Sequence, residues 1–94
     1  MNKQNVIEAA LKMSANGFQS DKAAEKIDQG FVDGDVIPMS TDRYIKIEGE
    51  KATGYKGDIP ENSFNLADLP EAQLENLMAA YIVKHYPVAM QKVY

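Results

Sequence analysis

The sequence predicts an α+β fold: two N-terminal helices, a small antiparallel β-meander or hairpin, and a long C-terminal helix packed on the sheet. Three observations predict it. Apolar residues recur at helical spacing near both ends of the chain. Five of the six glycines lie between residues 30 and 57, and apolar and polar residues alternate over 43–48. A chain of 94 residues has the size of one small globular domain, residues 1–94.

The two N-terminal helices are predicted over residues 3–15 and 21–29. The first has an apolar face at a 3.6-residue period, formed by Val6, Ile7, Ala10 and Leu11. Gly17 ends this helix, because glycine adopts left-handed backbone angles without a Cβ clash. Ser20 is the expected N-cap of the second helix, which ends at Gly30.

The hairpin is predicted from a two-residue turn. Gly49–Glu50 fits a type II′ turn between strands 43–48 and 51–56. This turn sets Glu48 opposite Lys51 and Tyr44 opposite Tyr55, an opposite-charge pair and an aromatic pair. The inner face then carries apolar and small residues: Ile45, Ile47, Ala52 and Gly54.

An edge strand is predicted over residues 36–40, since Pro38 lacks an N–H and is tolerated only at a sheet edge. Residues 58–62 are predicted to form a connector.

The C-terminal helix has the strongest pattern. Asp68 and Glu71 fit a capping box at its start, and Pro87 ends or kinks it. Its apolar stripe ends at His85 and comprises Leu74, Leu77, Met78, Tyr81 and Ile82. We expect this stripe to pack over the inner face of the hairpin. Three residues of the first helix are expected to close the core: Val6, Ile7 and Leu11.

Composition excludes several mechanisms. The chain has no cysteine, so thiol nucleophiles, iron–sulfur clusters and zinc–cysteine sites are excluded. A single histidine, His85, cannot build a multi-histidine metal site, and a role at the helix end is favoured over general-base catalysis. We expect no enzyme activity, no cofactor and no metal. The sequence shows neither the pattern of a signal peptide nor an apolar stretch long enough to span a membrane, and we expect a cytoplasmic protein.

Charge is unevenly distributed. The net charge of −4 divides into −3 for residues 1–42, +2 for 43–56 and −3 for 57–94. The basic hairpin is therefore a candidate binding surface, formed by Arg43, Tyr44, Lys46, Lys51, Tyr55 and Lys56. It suits an acidic partner or single-stranded nucleic acid. An ordinary solvated strand face is favoured over both, because four cations are few for binding phosphates.

The C-terminal tail is the second candidate surface, with apolar residues Val88, Met90, Val93 and Tyr94. It either folds back onto the domain or contacts a partner. The resulting hypothesis is a non-enzymatic protein-binding or regulatory module, a small adaptor or inhibitor that acts as a monomer or as a homo-oligomer. This outline is common among small bacterial and phage regulatory proteins. The alternative is a nucleic-acid-binding module that uses the basic hairpin.

Overall fold

The computed structural model describes residues 1–88 and confirms the α+β class. Helices α1 (Lys3–Met13) and α2 (Ser20–Gln29) precede the sheet, and α3 (Glu71–His85) follows it. The sheet is antiparallel with strand order β1-β2-β3-β4. Its strands are β1 (Val36–Pro38), β2 (Arg43–Glu48), β3 (Lys51–Lys56) and β4 (Ile59–Asn65).

The β2–β3 hairpin has the predicted register. Glu48 lies opposite Lys51 and Tyr44 opposite Tyr55. Gly49 has φ +62°, and Glu50, like every other non-glycine residue within 1–88, does not have a positive φ, as a type II′ turn with glycine first requires. β1 is confirmed as an edge strand but ends at Pro38, two residues short of the prediction.

The prediction of a connector over residues 58–62 is wrong, because 59–65 form β4. The signal was another two-residue turn with glycine first: Gly57 has φ +60°, and Lys56 lies opposite Ile59. Pro60 concealed the strand, yet β4 is the second edge of the sheet, where a missing N–H is tolerated. A register shift at Gly54/Tyr55 accommodates one extra residue in β4.

The helix boundaries differ from the predicted ones. α1 ends at Met13, and Ser20 lies inside α2, whose N-cap is Gln19. The capping box at Asp68 is wrong: Asp68 belongs to a short 3-10 helix, and α3 starts after Pro70. The physical reason is Leu69, which precedes a proline and therefore takes extended backbone angles, φ −79° and ψ 138°.

The core has two clusters, and α3 contributes to both. Its Met78, Ala79 and Ile82 pack against α1 and α2. Its Leu77, Ala80 and Tyr81 pack against a smaller cluster on the sheet, formed by Ile37, Ile47 and Ala52. The stripe predicted to cover the sheet is thus divided between two partners.

Two residues predicted for the core lie outside both clusters. Leu11 is wrongly predicted to be buried: it is 58% exposed, because α1 packs through Val6 and Ala10. Leu74 is half-buried and belongs to neither cluster.

We expect Gly57→Ala to destabilise the fold by about 1 kcal/mol or more, because alanine is strained at a φ of +60°. Urea unfolding monitored by circular dichroism measures this. Gly54→Ala is the matched control: its φ is not positive, and an added Cβ meets only the Asn62 carbonyl oxygen at 3.8 Å. Equal stability of both variants would contradict the assigned turn.

Candidate functional site

The main candidate site is an apolar groove between the inner face of the sheet and α3. Its volume is about 590 Å³, within the range of about 300–1,000 Å³ typical of ligand sites. The floor comes from the sheet: Ile45, Ala52, Gly54 and Phe64. The wall on the α3 side comprises Leu69, Leu77 and Ala80, and two methionines, Met13 and Met39, also line the groove.

The groove exists because α3 covers only the β1–β2 half of the inner face of the sheet. Among the strands, α3 contacts mainly β1, so Ile37 and Ile47 are fully buried, whereas Phe64 on the same face of β4 is 56% exposed. Small residues also deepen the floor. A Cβ added to Gly54 would have no closer neighbour than the Asn62 carbonyl oxygen at 3.8 Å. The C-terminal helix was expected to cover the inner face of the hairpin, but it leaves the part around Gly54 open.

The groove carries no net charge. Its two charged lining residues are Arg43 and Glu61, which form an ion pair with an N–O distance of 3.1 Å. Its other polar side chains include three amides, Asn62, Gln73 and Asn76. Met13 and Met39 are both about half exposed, and unbranched thioether side chains adapt readily to different apolar contacts.

The predicted hairpin surface is divided between two faces of the sheet. Side chains alternate along a strand, so Arg43 and Lys56, which lie opposite each other, share the inner face with Ile45 and Gly54. The outer face carries Tyr44, Lys46, Lys51 and Tyr55.

On the outer face the two tyrosines contact each other. The rings of Tyr44 and Tyr55 stack with centroids 5.2 Å apart and an interplanar angle of 7°. The Tyr55 hydroxyl donates to a Glu48 carboxylate oxygen at 3.0 Å, and this hydrogen bond raises the pKa of Tyr55. Each ring therefore already has one face against its neighbour.

The basic character of the hairpin is offset by β4. Residues 43–65 contain four basic and four acidic residues, since Asp58 and Glu61 join Glu48 and Glu50. The sheet segment from β2 to β4 is therefore formally neutral. This weakens the electrostatic argument for phosphate binding, and nucleic-acid binding stays a prediction.

His85 joins the end of α3 to the edge strand β1. Its Nε2 donates to the Val36 carbonyl oxygen at 2.6 Å, and its ring lies 4.1 Å from that of Tyr81. These contacts fit the structural role favoured from the sequence.

A buried ion pair that sequence reasoning missed lies between α2 and the sheet. Lys26 Nζ donates to Asp35 Oδ2 at 2.6 Å, and the two side chains are 3% and 9% exposed. Lys26 Nζ also lies 4.7 Å from the centre of the Tyr81 ring. Burial and the nearby Asp35 carboxylate raise the pKa of Tyr81 to about 12. Nothing in the sequence around Lys26 indicates that it is buried, because a lysine on a short helix is normally exposed.

The tail begins beside the α1–α2 loop. Pro87 forms an isolated antiparallel β-bridge with Phe18. The backbone N–H of Gln19 donates to the Tyr86 carbonyl oxygen at 2.8 Å, and Val88 lies against Gly17. Val88 is 45% exposed. The other predicted tail residues, Met90, Val93 and Tyr94, lie outside the described residues.

Within residues 1–88, no three His, Asp or Glu side chains form a group that could hold a metal ion. None of the helices in the described part of the chain is long and apolar enough to cross a bilayer.

We expect Tyr81→Phe to reduce the dependence of stability on alkaline pH. Because the pKa of Tyr81 in the fold is raised from 10.0 to about 12, its contribution to stability is complete below pH 10 and is lost as pH rises towards 12. Urea unfolding at a series of alkaline pH values measures this, together with tyrosinate absorbance of the folded protein. Tyr44→Phe is the control and should retain the transition near pH 12. Survival of that transition in Tyr81→Phe would contradict the assignment.

A scan against protein-family models and searches of curated proteins and solved structures find no match for this chain. The groove is therefore interpreted from its own geometry and chemistry.

Proposed function

We propose that this chain is a non-enzymatic protein-binding module, a small adaptor or inhibitor that takes an apolar segment of a larger protein into its groove. The observation that carries the proposal is the open apolar groove of about 590 Å³ beside the half-exposed Phe64. An apolar groove with a few polar side chains is typical of a binding site.

Charge and hydrogen-bonding capacity define the partner segment. Because Arg43 and Glu61 pair with each other, the groove favours an uncharged ligand over an anionic or cationic one. The amides of Asn62, Gln73 and Asn76 offer both donors and acceptors. A peptide backbone needs both, so an extended peptide with apolar side chains fits the groove.

The methionines support a regulatory role with more than one acceptable sequence. Met13 and Met39 lie at the groove and are exposed, and flexible methionine surfaces accommodate different partners. We place the module in the cytoplasm, in keeping with its cysteine-free sequence.

The test uses a larger side chain on the groove floor to block the groove. We expect Gly54→Val to occupy space that a peptide would use, since only the Asn62 carbonyl oxygen lies near the new Cβ. Lys51→Val is the matched control, because it places the same side chain on β3 but on the outer face. Circular dichroism and urea unfolding establish that both variants fold.

The probe is a phage-displayed library of random peptides selected on the wild-type protein. We expect enriched peptides to be apolar and uncharged. Gly54→Val should weaken their binding roughly tenfold or more, equivalent to about 1.4 kcal/mol, while Lys51→Val leaves it unchanged. Failure to enrich any peptide, or equal binding to a folded Gly54→Val, would overturn the proposal. Charged peptides that depend on Lys51 would favour the hairpin surface instead.

A further inference from the structure

We propose that two copies of this chain associate through β4, whose outer edge pairs antiparallel with the same edge of a second copy, centred on Phe64. The proposal concerns the sheet edge and does not depend on which ligand the groove takes, although Phe64 belongs to both the edge and the groove floor.

The register shows which backbone groups of β4 point outward. Ala52 lies opposite Phe64 and Gly54 opposite Asn62, and the Leu66 amide donates to the Glu50 carbonyl oxygen at 2.8 Å. In an antiparallel ladder only alternate residues bond to a given neighbour. Hence Phe64 and Asn62 bond towards β3, and the N–H and C=O groups of Ser63 and Asn65 point away from the sheet.

This part of the edge lacks the features that normally prevent edge pairing, which are charges, prolines and bulges. The first half of β4 has them: Pro60, Glu61 and the register shift. Residues 62–65 have none and are exposed. At the opposite edge, β1 has only three residues, and its Val36 carbonyl oxygen accepts from His85. Among the described strands, the second half of β4 is the open edge.

The exposed segment is complementary to itself. With Phe64 opposite Phe64 of the partner subunit, Ser63 lies opposite Asn65 of the partner subunit, and both residues present outward backbone groups. Phe64, 56% exposed in one copy, gains an aromatic cross-strand contact.

Charge does not oppose this register. A net charge of −4 disfavours most self-contacts, but Asn62, Ser63, Phe64 and Asn65 carry none. The pairing is confined to these four residues, because the register shift lies on one side of them and the 3-10 helix Leu66–Asp68 on the other. Within the paired segment no carboxylate faces another. A second copy is also the one partner always present at the concentration of the chain itself.

A few paired residues on each side make a small interface, so the dimer is weak and reversible. Pairing extends the sheet from four to eight strands and sets two grooves side by side on one face. A partner protein with two apolar segments would then bind the dimer more tightly than the monomer.

Sedimentation velocity of the full chain over a series of concentrations tests the proposal. We expect a concentration-dependent shift from monomer to dimer for the wild type. Ser63→Pro removes an outward N–H without breaking the β3–β4 ladder and should stay monomeric. Ser63→Ala is the matched control: both variants lose the hydroxyl contact with Thr53 Oγ1 at 3.2 Å, but alanine keeps the N–H and should still dimerise.

A charge exchange at position 64 gives a second test that does not depend on how Ser63→Pro folds. Phe64→Lys and Phe64→Glu should each be monomeric, because like charges meet across the two-fold axis. An equimolar mixture should recover the dimer. A wild-type monomer at every concentration, a dimer that survives in either single charge variant, or a mixture that stays monomeric would overturn the proposal.

Discussion

The position of the sheet relative to the helices depends on the buried Lys26–Asp35 ion pair. Asp35 Oδ2 accepts from Lys26 on α2 and from the Val32 amide, at 2.6 and 2.9 Å. The Asp35 carbonyl oxygen accepts from the Ile47 amide of β2 at 2.8 Å. One residue thus ties α2, the loop before β1 and β2 together, with the Tyr81 ring of α3 covering the ammonium group. Removing one partner of such a pair costs about 3–5 kcal/mol, because the other charge stays buried.

This arrangement determines where α3 can lie. Because α2 and α1 occupy one side of α3, only its Leu77, Ala80 and Tyr81 remain for the sheet. Those residues, with His85 bonded to Val36, hold α3 over β1 and β2. β3 and β4 then extend beyond the helix, and their inner face forms the groove floor. The groove forms because α3 is shared between two clusters and the sheet is wider than the part that α3 covers.

The parts that the sequence predicted are those encoded over short distances. The turn at Gly49 fixes the whole β2–β3 register, since a two-residue turn leaves a single pairing. The same rule applies at Gly57, but β4 is polar and exposed, so no alternation marks it as a strand. The groove was not predictable in this way. It depends on which face of α3 meets the sheet. The apolar stripe alone does not show that Leu77 packs on the sheet whereas Met78 packs on α1 and α2.

In the linear sequence a basic hairpin stands between two acidic segments. In the folded sheet, acidic residues lie beside this hairpin and offset its charge. The turn before β4 places Asp58 beside the hairpin, and Glu61 of β4 forms an ion pair with Arg43. Arg43 and Lys56 lie on the opposite face from Lys46 and Lys51, so the four cations do not form one patch. What the sheet presents is an apolar groove whose described lining has no net charge, and an uncharged open edge. Recognition by such surfaces rests on apolar contact and backbone hydrogen bonds, which is why we propose a protein partner for this chain.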